Sequence, residues 1–249
     1  MATGGCGCAL VRIEQLVRHA SWEAGADGVV VGVSGGVDSA VATAVCAKAL
    51  GPDAVLGLSL PSAVSAPEDL EDATALCNLI GCEHRVVPIE PVLEGYRSLP
   101  GFEPDPYLFG NLMARTRMAV LYYYANRERR LVCGTSNRTE YLLGYSTKWG
   151  DSAADLQPLL HLYKREVYQL AREIELPARI LDKPPSAGLW PGQRDEDELG
   201  LSYAAIDEAL AALAARSWQA ETPVEEKVLA RVKASGHKRR GALSLVMEE

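Results

Sequence analysis

A glycine- and serine-rich segment carries the strongest chemical signal in the sequence. Residues 32–39 read Gly-Val-Ser-Gly-Gly-Val-Asp-Ser and lie between a short apolar run and a helical pattern. Glycines let the backbone approach an anion closely, and the amides at a helix N-terminus point toward it. Ser34 and Ser39 add hydroxyl donors, so the segment is typical of a phosphate-binding loop. A carboxylate there would repel phosphate, and Asp38 therefore indicates a magnesium ion that bridges to the oxygens of ATP.

Other known loops share parts of this segment. A Walker loop requires Gly-Lys followed by Ser or Thr, and the dinucleotide fingerprint requires a third glycine; the segment has neither. Residues 32–36 do match the nucleophile elbow of serine hydrolases, in which Ser34 would be the nucleophile and His161 or His237 its base. That interpretation gives Asp38 no role, and neither does a purely structural glycine turn. Both stay open at this point.

A second polar block further along the chain could complete the same site. It reads Gly-Thr-Ser-Asn-Arg-Thr-Glu over residues 134–140 and follows a predicted strand, so Thr135 and Glu140 should reach the crevice that holds the first loop. Glu140 could hold magnesium opposite Asp38, or it could simply complement the positive end of a helix.

Three charged residues then occur within eight positions, namely Lys148, Asp151 and Asp155. Their density next to a predicted site favours a functional role over a solvated loop, which remains the alternative.

Strands and helices alternate along the chain, and they must position these residues. The β-branched run Val29–Val33 predicts a strand buried on both faces, and further strands are predicted at 54–60, 84–89 and 130–134. The predicted helices cover residues 10–25, 37–50, 65–80, 111–127, 164–174 and the stretch from 203 to 213, with Ser65 and Glu68 expected to cap the third helix reciprocally. Alternation of this kind predicts an α/β fold, a Rossmann-like three-layer sandwich with a central parallel sheet.

The composition narrows the classes of protein to consider. With 249 residues, of which 48% are hydrophobic and 23% charged, the chain suits one globular domain. The net charge of −8 argues against nucleic acid or anionic lipid as partners. No apolar run approaches the roughly 18 residues of a membrane span, and the start lacks a signal-peptide pattern, so we expect no membrane association and a cytoplasmic location.

The six cysteines are interpreted as reduced thiols, because a domain of this size needs no disulfide framework. Cys6 and Cys8 have no second Cys or His pair at zinc-ligand spacing, so we assign them no metal. We expect a stub and helix over 1–27, a nucleotide-binding core over 28–180, and a flexible loop with C-terminal helices over 181–249. The loop is the stretch from Asp182 to Glu198, which is rich in proline and acidic residues.

The first loop resembles that of the ATP pyrophosphatases, which split ATP between its α- and β-phosphates to adenylate a substrate. Together with the block from 134 to 164, the chain from about residue 28 to the His237-Lys238-Arg239 tail is similar to NAD synthetases. This resemblance implies the adenine nucleotide alpha hydrolase-like version of the fold. It also implies a C–N ligase that converts deamido-NAD to NAD through an adenylated intermediate, releasing AMP and pyrophosphate, with ATP as co-substrate and Mg²⁺ as cofactor.

The resemblance assigns residue roles by matching positions. Those matched to ATP are Gly32, Val33, Ser34, Gly35, Gly36, Val37, Asp38, Ser39, Thr135, Lys164 and Ser186. Those matched to deamido-NAD are Arg115, Lys148, Asp155, His237 and Lys238. Asp38 and Glu140 match the magnesium ligands, and Asp38, Lys164 and Asp151 are the implied catalytic residues. Asp151 would deprotonate and orient ammonium, and Tyr107 would stack on a ring of the dinucleotide.

Two positions depart from the family pattern. Ser186 stands where the family often has Thr, and Ser65 stands where the bacterial pattern has Gln, which puts one adenine-side contact in doubt. The stretch from 182 to 198 corresponds to a region that closes over the site in related enzymes.

The resemblance also bears on the nitrogen source and the assembly. Glutamine-using forms carry an additional large glutaminase domain, for which residues 1–27 leave no room, so free ammonia is the expected donor. A homodimer is implied, and the predicted helix Asn111–Arg127, with Met118, Leu121, Tyr122 and Tyr124, is the interface candidate.

Two alternative functions are less consistent with the sequence. A tRNA-modifying ligase would be expected to have a basic surface, and a nucleotide sensor would be expected to lack Lys148 and Asp151.

Overall fold

Four parallel strands form the sheet in the part of the chain that the computed structural model describes, residues 6–190 and 192–242. They are β1 (Gly28–Gly32), β2 (Val55–Ser59), β3 (Glu83–Val86) and β4 (Arg130–Cys133), in the spatial order β3-β2-β1-β4. The four predicted strands are confirmed, with shorter ends. The side chains of Cys6 and Cys8 and the residue Pro191 lie outside the described part.

Helices connect and flank the strands. Their bounds are α1 (Cys6–Glu23), α2 (Val37–Leu50), α3 (Pro67–Ile80), α4 (Glu90–Arg97), α5 (Pro106–Arg127), α6 (Arg138–Leu143), α7 (Lys164–Glu173), α8 (Ala178–Leu181), α9 (Asp195–Leu199), α10 (Tyr203–Ala215) and α11 (Pro223–Ala234). None of the described helices has both the length and the apolar character that crossing a membrane requires.

Residues of β1 alternate between two hydrophobic cores, as the pleat of a strand requires. Val29 and Val31 pack against α1, α2 and α7 on one face of the sheet, while Val30 packs against α4 and α5 on the other. A third cluster joins α10 and α11 to α6. The α/β three-layer fold expected from the sequence is confirmed.

Two local predictions were wrong. Ser65 does not cap α3: the helix begins after Ala66 with no side-chain cap, and the Ser65 hydroxyl accepts the Ser62 amide instead. The stretch from 182 to 198 is not all loop, because α9 begins at Asp195. Four of the five acidic residues of this stretch lie in the first turn of α9, where carboxylates complement the helix dipole.

The strand order places the ends of β1 and β4 side by side, although about 100 residues separate them in the chain. The chain adds β2 and then β3 on one side of β1, and it then places β4 on the other side. The order of the strands therefore changes direction at β1, which makes the carboxyl end of β1 a topological switch point. Ligands of open α/β sheets bind at the carboxyl ends of strands flanking such a switch point. The turns after β1 and β4 both lie there.

Candidate active site

Hydrogen bonds formed by its own serines fix the conformation of the loop between β1 and α2. The Ser39 hydroxyl donates to the Gly36 carbonyl at 2.9 Å and accepts the Ser34 amide at 3.2 Å. Gly35 has φ of +81°, and a Cβ there would lie 2.4 Å from the Asp69 carbonyl oxygen, so the position requires glycine. No side chain caps the start of α2, which leaves its first amides free to bind an anion.

The nucleophile-elbow alternative finds no base in this geometry. The Ser34 hydroxyl lies 3.1 Å from the Ser39 hydroxyl. Within the described residues it has no hydrogen bond to His161 or His237. A serine nucleophile needs a base within hydrogen-bond reach, so the arrangement favours phosphate binding.

A buried lysine joins two carboxylates next to the loop. The Lys164 ammonium lies 2.5 Å from Asp38 Oδ2 and 3.0 Å from Glu140 Oε1. The Lys164 side chain is only 3% exposed. The side chains of Asp38 and Glu140 are 18% and 17% exposed. Asp38 comes from the first turn of α2, Glu140 from α6 and Lys164 from the start of α7. Three distant segments therefore converge on one point.

Burial and charge act against each other at this centre. Burial raises the pKa of Glu140 to about 7, although the Lys164 ammonium works in the opposite direction. Burial by itself lowers the pKa of Lys164, but Asp38 and Glu140 outweigh it and hold that pKa well above its ordinary value. Lys164 is therefore expected to carry its positive charge at neutral pH.

The donor set fits a magnesium ion. Asp38 and Glu140 already converge on one cation, the ammonium of Lys164. No group of three or more His, Cys, Asp or Glu side chains is placed to hold a metal in the described part of the chain. Magnesium suits a site of this kind, since it is usually bound by one or two carboxylates together with substrate phosphates and water.

Buried polar side chains fix the three charged residues. Asn137 donates to Asp38 Oδ1 at 2.8 Å, and it also forms a reciprocal cap of α6 with Glu140. Thr139 Oγ1 accepts the Lys164 amide at 3.0 Å and donates to Asp207. Glu140 therefore is a helix-start acid, one of its two expected roles, and at the same time a partner of Lys164.

The residues matched to deamido-NAD form a second group. An Arg115 terminal nitrogen donates to the Lys148 carbonyl at 3.2 Å, and the Lys148 ammonium donates to the His237 carbonyl at 2.8 Å. Lys238 donates to the carbonyls of Gly144 and Ser146. The chain's C-terminal region is thus bound to the loop after α6.

Asp151 and Asp155 differ in how far their carboxylates are engaged. Asp151 is exposed by its accessible surface, and its carboxylate accepts the Thr147 amide at 2.7 Å. Asp155 accepts the Val132 amide at 2.7 Å and the Tyr122 hydroxyl at 3.1 Å, so it binds the edge of β4.

The chain is similar to known proteins over most of its length. The model of the NAD synthase family matches residues 9–242. The chain belongs to the NAD synthase family. It is 60% identical over 240 residues to the NH(3)-dependent NAD(+) synthetase of Methanoregula boonei, a match that spans 96% of this chain and 97% of that protein.

Solved structures agree on the fold. An NH3-dependent NAD synthetase from Campylobacter jejuni, in complex with the nitrate ion, has a TM-score of 0.85 and 29% identity, over 98% of this chain and all of that one. An NMN synthetase from Francisella tularensis has a TM-score of 0.90 and 36% identity, over 98% of this chain and all of that one.

Not all sequence-predicted residues meet at the lysine centre. Thr135 lies two residues after the end of β4 and is half-buried at the switch point. Ser186 is exposed and its hydroxyl accepts the Gly188 amide, while Tyr107 is 64% exposed on the first turn of α5. Among the described residues, neither Ser186 nor Tyr107 forms a hydrogen bond to the phosphate loop. The contact of Ser186 with ATP and the stacking of Tyr107 on the dinucleotide therefore stay predictions.

Sequence reasoning missed several residues around the Lys164 centre. Tyr203 lies against Lys164, with the ammonium 4.9 Å from its ring centre, and donates to Asp195 at 2.9 Å. Asp207 is fully buried and accepts the Arg165 amide. Asn137 and Thr139 lie in the block from 134 to 140, which was assigned to the site from the sequence. Tyr203, Asp195 and Asp207 lie in helical or acidic stretches that gave no local signal.

Proposed function

We propose that this chain amidates deamido-NAD to NAD with free ammonia and ATP, as the last step of NAD biosynthesis. The observation that carries the proposal is the glycine-rich loop beside the Asp38–Lys164–Glu140 centre at the ends of β1 and β4. Near-full-length identity of 60% to a synthetase that uses NH(3) supports the donor and the product.

In the first step the nicotinate carboxylate attacks the α-phosphorus of ATP, and the bond to pyrophosphate breaks. A carboxylate has no good leaving group, whereas its adenylate releases AMP. The free amides of the first turn of α2 would bind the phosphates, and the Lys164 ammonium would stabilise the charge on the departing pyrophosphate. Magnesium held by Asp38 and Glu140 would supply further charge neutralisation.

In the second step ammonia attacks the acyl carbon and AMP leaves. Ammonium has no lone pair to donate, so a base must first remove a proton. Asp151 is the proposed base. Its exposed position allows ammonium to reach it.

A second substrate deserves the same assay. The Francisella tularensis protein is an NMN synthetase, and its TM-score to this chain is 0.90. Amidation of nicotinate mononucleotide to NMN would use the same carboxylate chemistry on a smaller molecule. Cytoplasmic location remains part of the proposal.

The test is incubation of the purified protein with ATP, Mg²⁺, either deamido-NAD or nicotinate mononucleotide, and either ammonium or glutamine, with NAD, NMN, AMP and pyrophosphate quantified. We expect NAD and AMP in equal amounts with ammonium. If NMN is the main product, the substrate is nicotinate mononucleotide and not deamido-NAD. AMP release without either amide would point to another adenylating ligase, such as a tRNA-modifying enzyme, and no reaction would refute the proposal.

Variants separate the two steps. Asp38→Asn should lose AMP formation about 100-fold or more, because it removes one anchor of the cation centre. Asp151→Asn should form adenylate and raise the ammonium concentration needed for half-saturation. Asp53→Asn, an exposed carboxylate in the turn before β2, is the matched control and should behave as wild type. Unchanged ammonium saturation in Asp151→Asn would overturn its role as base.

A further inference from the structure

Arg117 is a second cation at the carboxyl ends of the strands. It extends from α5, and its Nε donates to the carbonyl of Leu60 at 3.1 Å. Leu60 directly follows β2, which is the neighbour of β1 in the sheet. The guanidinium therefore lies beside the switch point.

This guanidinium has no acidic partner. Some partly buried arginines of the described chain pair with acids, as Arg85 does with Glu128, and others bind carbonyls, as Arg239 does with Leu142. Among the described residues, Arg117 forms no ion pair within 4.0 Å, and its bond to Leu60 uses Nε alone. No residue that the structure describes provides an acceptor for its two terminal nitrogens.

Part of this guanidinium stays accessible. Arg117 is half-buried, and neither of its terminal nitrogens is among the buried polar side-chain atoms that lack a hydrogen-bond partner in the described residues, so a ligand in the site can reach them. Burial lowers the pKa of Arg117, and the charge of Asp151 partly offsets this effect. A planar guanidinium presents two parallel donors that match the paired oxygens of a carboxylate or a phosphate.

We propose that Arg117 binds the oxyanion at the adenylation centre, either the substrate carboxylate or the α-phosphate of ATP. The inference rests on the proposed function. Both groups must lie between the phosphate loop after β1 and the proposed base Asp151, and Arg117 extends into that region from the β2 side. Nε fixes the guanidinium on Leu60, and the terminal nitrogens then face the oxyanion. Arg115, two residues earlier, lies on another side of α5 and binds the Lys148 carbonyl.

The test compares wild type with Arg117→Met and Arg117→Lys. Arg172→Met is the matched control, because Arg172 is an exposed arginine at the end of α7. Binding of AMP and of deamido-NAD is measured separately by calorimetry, and steady-state rates are measured with ATP, Mg²⁺, ammonium and deamido-NAD. Circular dichroism establishes that each variant is folded.

We expect Arg117→Met to lose about 100-fold in kcat/KM and about tenfold in affinity for one ligand. Loss for AMP identifies the α-phosphate, and loss for deamido-NAD identifies the carboxylate. Arg117→Lys should recover part of the affinity but not the rate, since an ammonium cannot present two parallel donors. Binding and turnover within twofold of wild type in a folded Arg117→Met protein would overturn the proposal. A wild type that binds both ligands but makes no amide would refute the proposed function and leave the binding comparison decisive for Arg117.

Discussion

At the scale of single residues, the site is governed by one ammonium between two carboxylates. Lys164 neutralises Asp38 and Glu140 where water is scarce, and Asn137 and Thr139 keep the three aligned. Removing one member of a buried charge group leaves the others unpaired, which is usually more costly than losing a surface ion pair. The same geometry makes the two carboxylates a pre-formed receptor for a cation.

This arrangement predicts how magnesium affects stability. In Lys164→Met the two carboxylates face each other without a cation, so the variant should be destabilised and should regain stability when Mg²⁺ binds. We expect about 10 mM Mg²⁺ to raise its Tm by about 3 °C or more, and to raise that of wild type by less, as measured by differential scanning fluorimetry.

The double variant Lys164→Met/Asp38→Asn is the control for that experiment. It has one carboxylate left, so magnesium should no longer stabilise it. An equal Tm response in all three proteins would show that Asp38 and Glu140 do not form the cation receptor.

At the scale of elements, the stretch after α8 is tied to the helix that supports the phosphate loop. Lys183 donates to Asp69 at 2.8 Å and also to Asp72, whose side chain is 2% exposed. The Asp69 carbonyl oxygen is the atom that a Cβ at Gly35 of the loop would meet. At its other end the stretch is held by Asp195, which accepts the hydroxyls of Tyr145 and Tyr203. Ser186 lies between these two anchors.

We therefore expect Lys183→Met to disturb ATP binding more than the chemical step. Loosening one anchor shifts Ser186 and the support of Gly35, so KM for ATP should rise about tenfold while kcat changes by less than about threefold. Arg179→Met is the matched control: it removes another partner of Asp72, at 2.6 Å, but from an arginine that is 58% exposed. Steady-state kinetics of both variants measure KM for ATP. An equal rise of KM in both variants would mean that any loss of a contact to α3 has this effect.

At the scale of the whole molecule, α5 is the element on which an interface prediction depends. Leu121, Tyr122 and Tyr124 pack partly against the core beneath the sheet, so the helix buries more of its apolar surface internally than its sequence indicated. Tyr123 is 61% exposed and offers the apolar surface that remains. The expected homodimer stays a prediction, now centred on that residue.

The assembly can be measured directly. We expect light scattering at micromolar concentration to give the mass of a dimer, and Tyr123→Glu to shift it toward the monomer by placing a charge in an apolar contact. Trp22→Glu is the control, because Trp22 is an even more exposed aromatic residue, at 79%, on α1. A monomeric wild type would refute the dimer, and a dimeric Tyr123→Glu protein would move the interface elsewhere.

The sequence by itself determined the alternation of strands and helices, the phosphate loop and the block from 134 to 155. These features depend on local rules: β-branched runs, helical periodicity, and glycines where the backbone must approach an anion. Local rules also misled, since Ser65 and Glu68 fit a capping pattern that α3 does not use, and the acids at the start of α9 looked like a loop.

The tertiary structure decided which charges meet. Lys164 is 126 residues from Asp38 along the chain, and their contact exists because β1 and β4 pair at the switch point and α7 returns beside α2. The same holds for Arg117 at the end of β2 and for Tyr203 against Lys164. Periodicity and spacing describe only nearest neighbours in sequence. Electrostatic energy depends on distance in space and on burial, and the packing of the whole chain sets both.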